Sequence, residues 1–172
     1  MALRNIRLED DPILRKISKP VTEITPKILT LLDDMKETLA AANGVGLAAP
    51  QVGILKRVVI VDAGEDKGIV EMINPEIIET RGSQMRSEGC LSIPGRSGRV
   101  ERPEYVKVKY LDRYGKGQET EGAEMVAVCI CHEIDHLNGI LYIDKLVYGF
   151  DAEDEDDSED EYEYGEQEES ME

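Results

Sequence analysis

A helix that is apolar on most of its sides has to lie inside a domain, and the run AEMVAVCICHEIDHL carries that mark. The predicted helix starts near Gly122 and stops at Asn138-Gly139, a pair that ends helices. Strands dominate the chain before it. RVVIVD at 57–62 is a β-branched run that reads as a buried strand; IVEMI at 69–73 and EIIET at 76–80 read as two more, flanking a turn at Asn74-Pro75. YVKVKYL at 105–111 alternates as a strand does, with a glycine-rich turn at 114–117 after it. One further helix opens at Thr25-Pro26, carries an apolar stripe at Ile28, Leu31, Leu32, Met35, Leu39 and Ala42, and closes at Asn43-Gly44. The class is α+β: antiparallel or mixed β-sheets packed around a central buried helix carrying HEIDH, plus an N-terminal amphipathic helix.

At 172 residues the chain suits one domain that needs no disulfide staples. Its net charge of -17 is unusual, and the sequence localises it. Residues 151–172 hold 14 of the 37 acidic residues and no Lys or Arg, whereas residues 1–150 have 23 acidic against 20 basic, a balance of -3. The division is therefore a folded domain at 1–150 and a disordered acidic tail at 151–172, since the tail lacks apolar spacing and its charges repel. A solubilising appendage is the favoured reading of the tail, and a docking arm for a basic partner is the alternative. Either way, direct nucleic-acid binding is disfavoured, because phosphates would be repelled. Cys90, Cys129 and Cys131 form no C-x-x-C pair, which suits a reducing cytoplasm. No stretch approaches the length of a membrane span, and MALRNIRLEDDPILRK has charges where a secretory signal has an apolar core.

The chemistry concentrates in His132-Glu133-Ile134-Asp135-His136. On a helix, residues four apart sit one above the other, so two imidazoles can reach one ion. Glu133 follows the first ligand and can reach an open coordination position, where it would accept a proton from bound water. Two satisfied histidines on a helix are the plainer alternative, but the chain has only two histidines and both are here. A catalytic ion needs a third ligand. Downstream, Tyr142 stands where one protease class has its third histidine, and the region where another has a glutamate is the acidic tail. Upstream lies Cys90 in EGCLS at 88–92, whose thiolate suits Zn(II) or Fe(II). Cys129 shares the helical face of both histidines but lies about 7.5 Å along the axis from their midpoint, too far to bond the ion. It fits the floor of an adjoining pocket. In GVGLAAPQ at 44–51, Gln51 has a neutral amide suited to an oxyanion, and its glycines and alanines would let a substrate backbone approach. On these residues alone a metal-dependent amide hydrolase leads. An endoprotease and a metal-stabilised binding module stay open behind it.

The three segments GVGLAAPQ (44–51), EGCLS (88–92) and HEIDH (132–136), complete and in order, closely resemble peptide deformylase over about residues 1–147. The resemblance implies hydrolytic removal of the N-formyl group from the initiator methionine of nascent polypeptides, releasing formate, by a metal-bound hydroxide with a Glu general acid/base. It implies that Cys90, His132 and His136 bind the metal, that Glu133 is the acid/base, and that Gln51 and the backbone N–H of Leu91 stabilise the oxyanion. It further implies that Val45, Val128 and Cys129 wall the methionine pocket, that backbone near Gly46 and Gly89 takes the peptide as an added strand, and that Glu88 and Arg102 pair behind the ligands. Fe(II) is implied as the native ion, one per chain, with Zn(II), Ni(II) or Co(II) able to substitute. The enzyme is expected to be a cytoplasmic monomer, without membrane or nucleic-acid partners. Some members dock on the ribosome through a basic C-terminal helix; the acidic end of this chain disfavours that route.

Overall fold

The structure, a computed structural model, describes residues 2–147. The acidic segment 151–172, expected to be disordered, lies outside those residues. Seven strands and two α-helices follow in order: α1 Pro26–Ala41, β1 Gly46–Ala48, β2 Val58–Asp62, β3 Ile69–Arg81, β4 Gln84–Cys90, β5 Ile93–Arg102, β6 Tyr105–Leu111, β7 Gly117–Ala123 and α2 Met125–Leu137. Five strands form one sheet in the order β1-β2-β3-β6-β7, and β4 and β5 form a separate hairpin. Every ladder is antiparallel.

The run Val58–Val61 explains the layering. Its four residues are buried on both faces of the sheet, with Val58 and Ile60 in a cluster with Leu31, Leu32 and Met35 of α1. Val59 and Val61 join Ala127, Ile130 and Ile134 of α2. Strands covered on both faces read as continuous apolar runs, as this one does. On its other side α2 meets the β4–β5 hairpin, where Ile93, Val100, Leu14, Leu141 and Tyr142 form a third cluster. α2 is thus the central buried helix the sequence requires.

Two expectations are corrected. Asn74-Pro75 is no turn between two strands: β3 runs through it, with a register shift between Ile73 and Glu76 and Asn74 at φ 53. Pro75 has no N–H for a ladder, so a bulge is where a strand tolerates it. The Asn74 side chain completes the pairing, donating to Val21 O and accepting from Val21 N, both at 2.8 Å. The second helix starts at Met125, not near Gly122, which belongs to β7. A Cβ on Gly122 would stand 2.8 Å from Val126 and 3.0 Å from Ile130, so the glycine seats β7 against α2 rather than opening the helix.

Candidate metal centre

α2 carries His132 and His136 one turn apart, with ring centroids 5.0 Å apart and planes at 72°. Their Nε2 atoms approach to 3.2 Å. Cys90 closes β4 where the β4–β5 register breaks after Gly89, so the strand leaves its ladder at the residue that turns to the helix. Cys90 Sγ lies 3.4 Å from Nε2 of His136, and one donor atom from each of the three residues falls within 4.8 Å of the others. Bonds of about 2.0–2.3 Å at tetrahedral angles put ligand atoms about 3.3–3.6 Å apart. The donor set fits one divalent cation, and its mix of thiolate and imidazole suits Zn(II) or Fe(II).

Their surroundings push the two imidazoles in opposite directions. Burial works against protonating His132, yet hydrogen bonds to Cys90 and Glu88 outweigh it and raise the ring to about 10. Burial, with His132 beside it, pushes His136 well below its ordinary value.

Behind the donors is a buried ionic frame. Glu88 Oε1 lies 2.9 Å from Nδ1 of His132, which leaves Nε2 facing Cys90 and His136. Arg102 grips Glu88 with two bonds of 2.8 and 3.0 Å and donates to Asp135 at 2.6 Å. Burial alone would raise Glu88, but His132 and Arg102 bring it below its ordinary value. The Tyr142 ring stacks on His132 at 6.1 Å and 24°, and its hydroxyl donates to Arg96 O at 3.1 Å. The sequence suggested the Glu88–Arg102 pair. It did not point to Asp135, although the motif's fourth letter was a signal, nor to Tyr142 as a support.

A cleft of about 380 Å³ opens beside the donors. Ten of the eleven expected site residues line it: Val45, Gly46, Gln51, Gly89, Cys90, Leu91, Val128, Cys129, His132 and Glu133; His136 sits behind, 1% exposed. Glu133 is buried, with Oε2 bonded to no described residue, and burial pushes its carboxyl up to about 7. Gln51 is fixed by its oxygen accepting from Ala48 N–H at 2.9 Å, while its amide donates to Ser92 Oγ at 3.1 Å and reaches Cys90 Sγ at 3.5 Å. Cys129 is a neutral thiol that burial raises well above its usual range, and it donates to Val45 O at 3.4 Å. Val45, 56% exposed, is at the rim rather than inside the pocket; Val128 and Cys129 are buried.

A family model described as polypeptide deformylase matches residues 3–149. The chain belongs to that family. Peptide deformylases remove the N-formyl group from the initiator methionine of nascent peptides; the chain is accordingly a metal-dependent hydrolase acting on formylated peptides. A peptide deformylase of Agathobacter rectalis is 60% identical over 146 residues, covering 85% of this chain and 91% of that protein. The crystal structure of peptide deformylase from Thermotoga maritima matches with TM-score 0.81 and 42% identity over 85% of this chain and 99% of that one. A class I type b peptide deformylase from Acinetobacter baumannii, crystallised with Met-Ala-Ser bound, matches with TM-score 0.79 and 39% identity over 84% of this chain and 98% of that one. No helix among the described residues is long and apolar enough to cross a membrane.

Proposed function

We propose that the cleft deformylates peptides through a single cation held by Cys90, His132 and His136, with Glu133 moving the protons. The observation that carries this reading is the convergence of the three donor atoms within 4.8 Å beside a buried Glu133 that lines the same cleft. The cation supplies Lewis acidity toward water and the formyl oxygen. A carboxyl pushed up to about 7 is matched to taking a proton from the attacking water and returning it to the leaving amine near neutral pH. The Gln51 amide and the Leu91 N–H donate to the formyl oxygen as negative charge builds there. Ala48 holds the Gln51 oxygen and Ser92 one of its N–H groups, so the second N–H, which in this structure reaches Cys90 Sγ, is the one that turns to the formyl oxygen.

The peptide enters as an added strand. Among the described residues β1 is an edge strand of its sheet and β4 pairs only with β5, leaving Gly46 and Gly89 on two open edges beside one cleft. The methionine side chain packs against Val128 and Cys129, with Val45 at the rim. The relative holding Met-Ala-Ser, a deformylated peptide, supports a cleft of this kind.

Fe(II) is the native ion in this reading, one per chain, with Zn(II), Ni(II) and Co(II) as substitutes; a thiolate and two imidazoles accommodate all four. The working unit is the domain at 1–150, in a cytoplasmic monomer that contacts the ribosome only transiently and not through the acidic tail. The testing experiment is formate release from formyl-Met-Ala under anaerobic conditions with Fe(II) or Ni(II) added. Release that chelation abolishes and either ion restores is expected. Equal release by the chelated protein contradicts the metal's role.

A further inference from the structure

The sequence beyond Val147 is not a plain polyacid. Residues 148–172 hold four of the chain's eight aromatic side chains, Tyr148, Phe150, Tyr162 and Tyr164, along with 14 acidic residues and no Lys or Arg. A segment that only solvates needs no aromatic groups.

On the described domain, a groove of about 590 Å³ has the opposite character. Its apolar lining includes Val21, Ile28, Leu31 and Ile54, and its charged residues are Arg4, Lys27 and Lys56 against Glu23 alone. Arg4 is held by Asp34 at 2.9 Å. Lys27 and Lys56 pair with no carboxylate among the described residues. Lys19, likewise unpaired, is set beside Lys56 by a parallel bridge, which concentrates positive charge there. The linings of four other cavities are neutral or acidic by the same reckoning.

We propose that the segment around Tyr162 and Tyr164 docks in cis on this groove, its rings on Val21, Ile28 and Ile54 and its flanking carboxylates toward Lys27, Lys56 and Lys19. Reach is ample. Tyr162 lies fifteen positions after Val147, about 50 Å when extended, against a domain about 40 Å across. The way there is short: Asp144 is tied to Arg15, four residues before Lys19. Surface ion pairs contribute little singly, so the aromatic burial provides the hold and the lysines select an acidic segment. The groove shares no lining residue with the metal cleft, so docking there keeps the acidic chain away from the substrate entrance.

The test uses backbone amide spectra of the full chain, comparing the native sequence with Tyr162→Ser/Tyr164→Ser and with Lys27→Glu/Lys56→Glu. Formate release by both variants verifies that they are folded. The expected result is that amides of Val21, Ile28, Leu31 and Ile54 shift in the tyrosine variant and move the same way in high salt. Amides near Tyr162 and Tyr164 should shift in the lysine variant. All of these differences should survive tenfold dilution. Coincident groove spectra for the native chain and the tyrosine variant overturn the proposal. Differences that vanish on dilution assign the groove to the tail of a second copy and overturn docking in cis. Groove shifts that appear only on adding RNA assign it to nucleic acid, and overturn it too.

Discussion

Gly46 of β1 lies against Glu133 of α2 so closely that a Cβ on the glycine would stand 2.7 Å from the Glu133 Oε1 and 2.8 Å from Cys129 Sγ. The edge strand and the proposed acid/base are therefore fitted to each other, and the carboxylate's position depends on a hydrogen where other residues have a Cβ. Gly46→Ala should displace the carboxylate, lowering kcat on formyl-Met-Ala by about 10- to 100-fold with one ion per chain retained. Steady-state kinetics beside metal analysis check this, and unchanged kcat would mean that Glu133 tolerates the shift.

Glu133→Gln separates proton transfer from metal binding. The substitution is nearly isosteric and leaves Cys90, His132 and His136 in place, so the ion should stay. Turnover should fall by about 10²–10⁴-fold, the usual contribution of a positioned acid/base. Single-turnover formate release on metal-replete protein measures it.

Glu88→Gln should act on both stability and affinity. Glu88 orients His132 and neutralises Arg102, which is 4% exposed and keeps only Asp135 if the charge is lost. A destabilisation of about 3 kcal/mol is expected from a broken buried pair, with ion affinity about 10- to 100-fold weaker. Denaturant unfolding and chelator competition read the two effects separately.

In the chelated protein the share of stability contributed by Glu133 should fall as pH rises through its titration window. Burial raises its carboxyl from 4.5 to about 7, so between those values the folded chain binds a proton that the unfolded chain has released. The Glu133 contribution then falls with rising pH, on the order of 1.4 kcal/mol per pH unit, while His136, held neutral by burial, contributes with the opposite sign below 6.5. Glu133→Gln should remove this falling component, so the native-minus-variant difference in unfolding free energy decreases as pH rises across the window. An equal slope in both proteins would place the titration elsewhere.

What the sequence made legible follows from how each residue's environment repeats. Val58–Val61 is buried on both sides and announces itself as an unbroken apolar run, and α2 does the same at helical period. The β4–β5 hairpin gave no such signal: QMRSEGC and IPGRSGRVER mix glycine, charge and isolated apolar residues, because much of the hairpin faces solvent. Asn74-Pro75 has turn chemistry, and only the contact with Val21, 53 residues away, makes it a bulge. At the site, the His132–His136 spacing is local and was readable, while the meeting of Gly46 with Glu133 and of Arg102 with Asp135 depends on tertiary packing.

X-ray absorption at the metal edge, recorded on the anaerobic native protein and on Cys90→Ala, bears most directly on the centre. One sulfur and two imidazole nitrogens are expected around each ion, with the sulfur shell absent in the variant. A native spectrum without sulfur, or an unchanged sulfur shell in Cys90→Ala, would contradict the assignment of the three ligands.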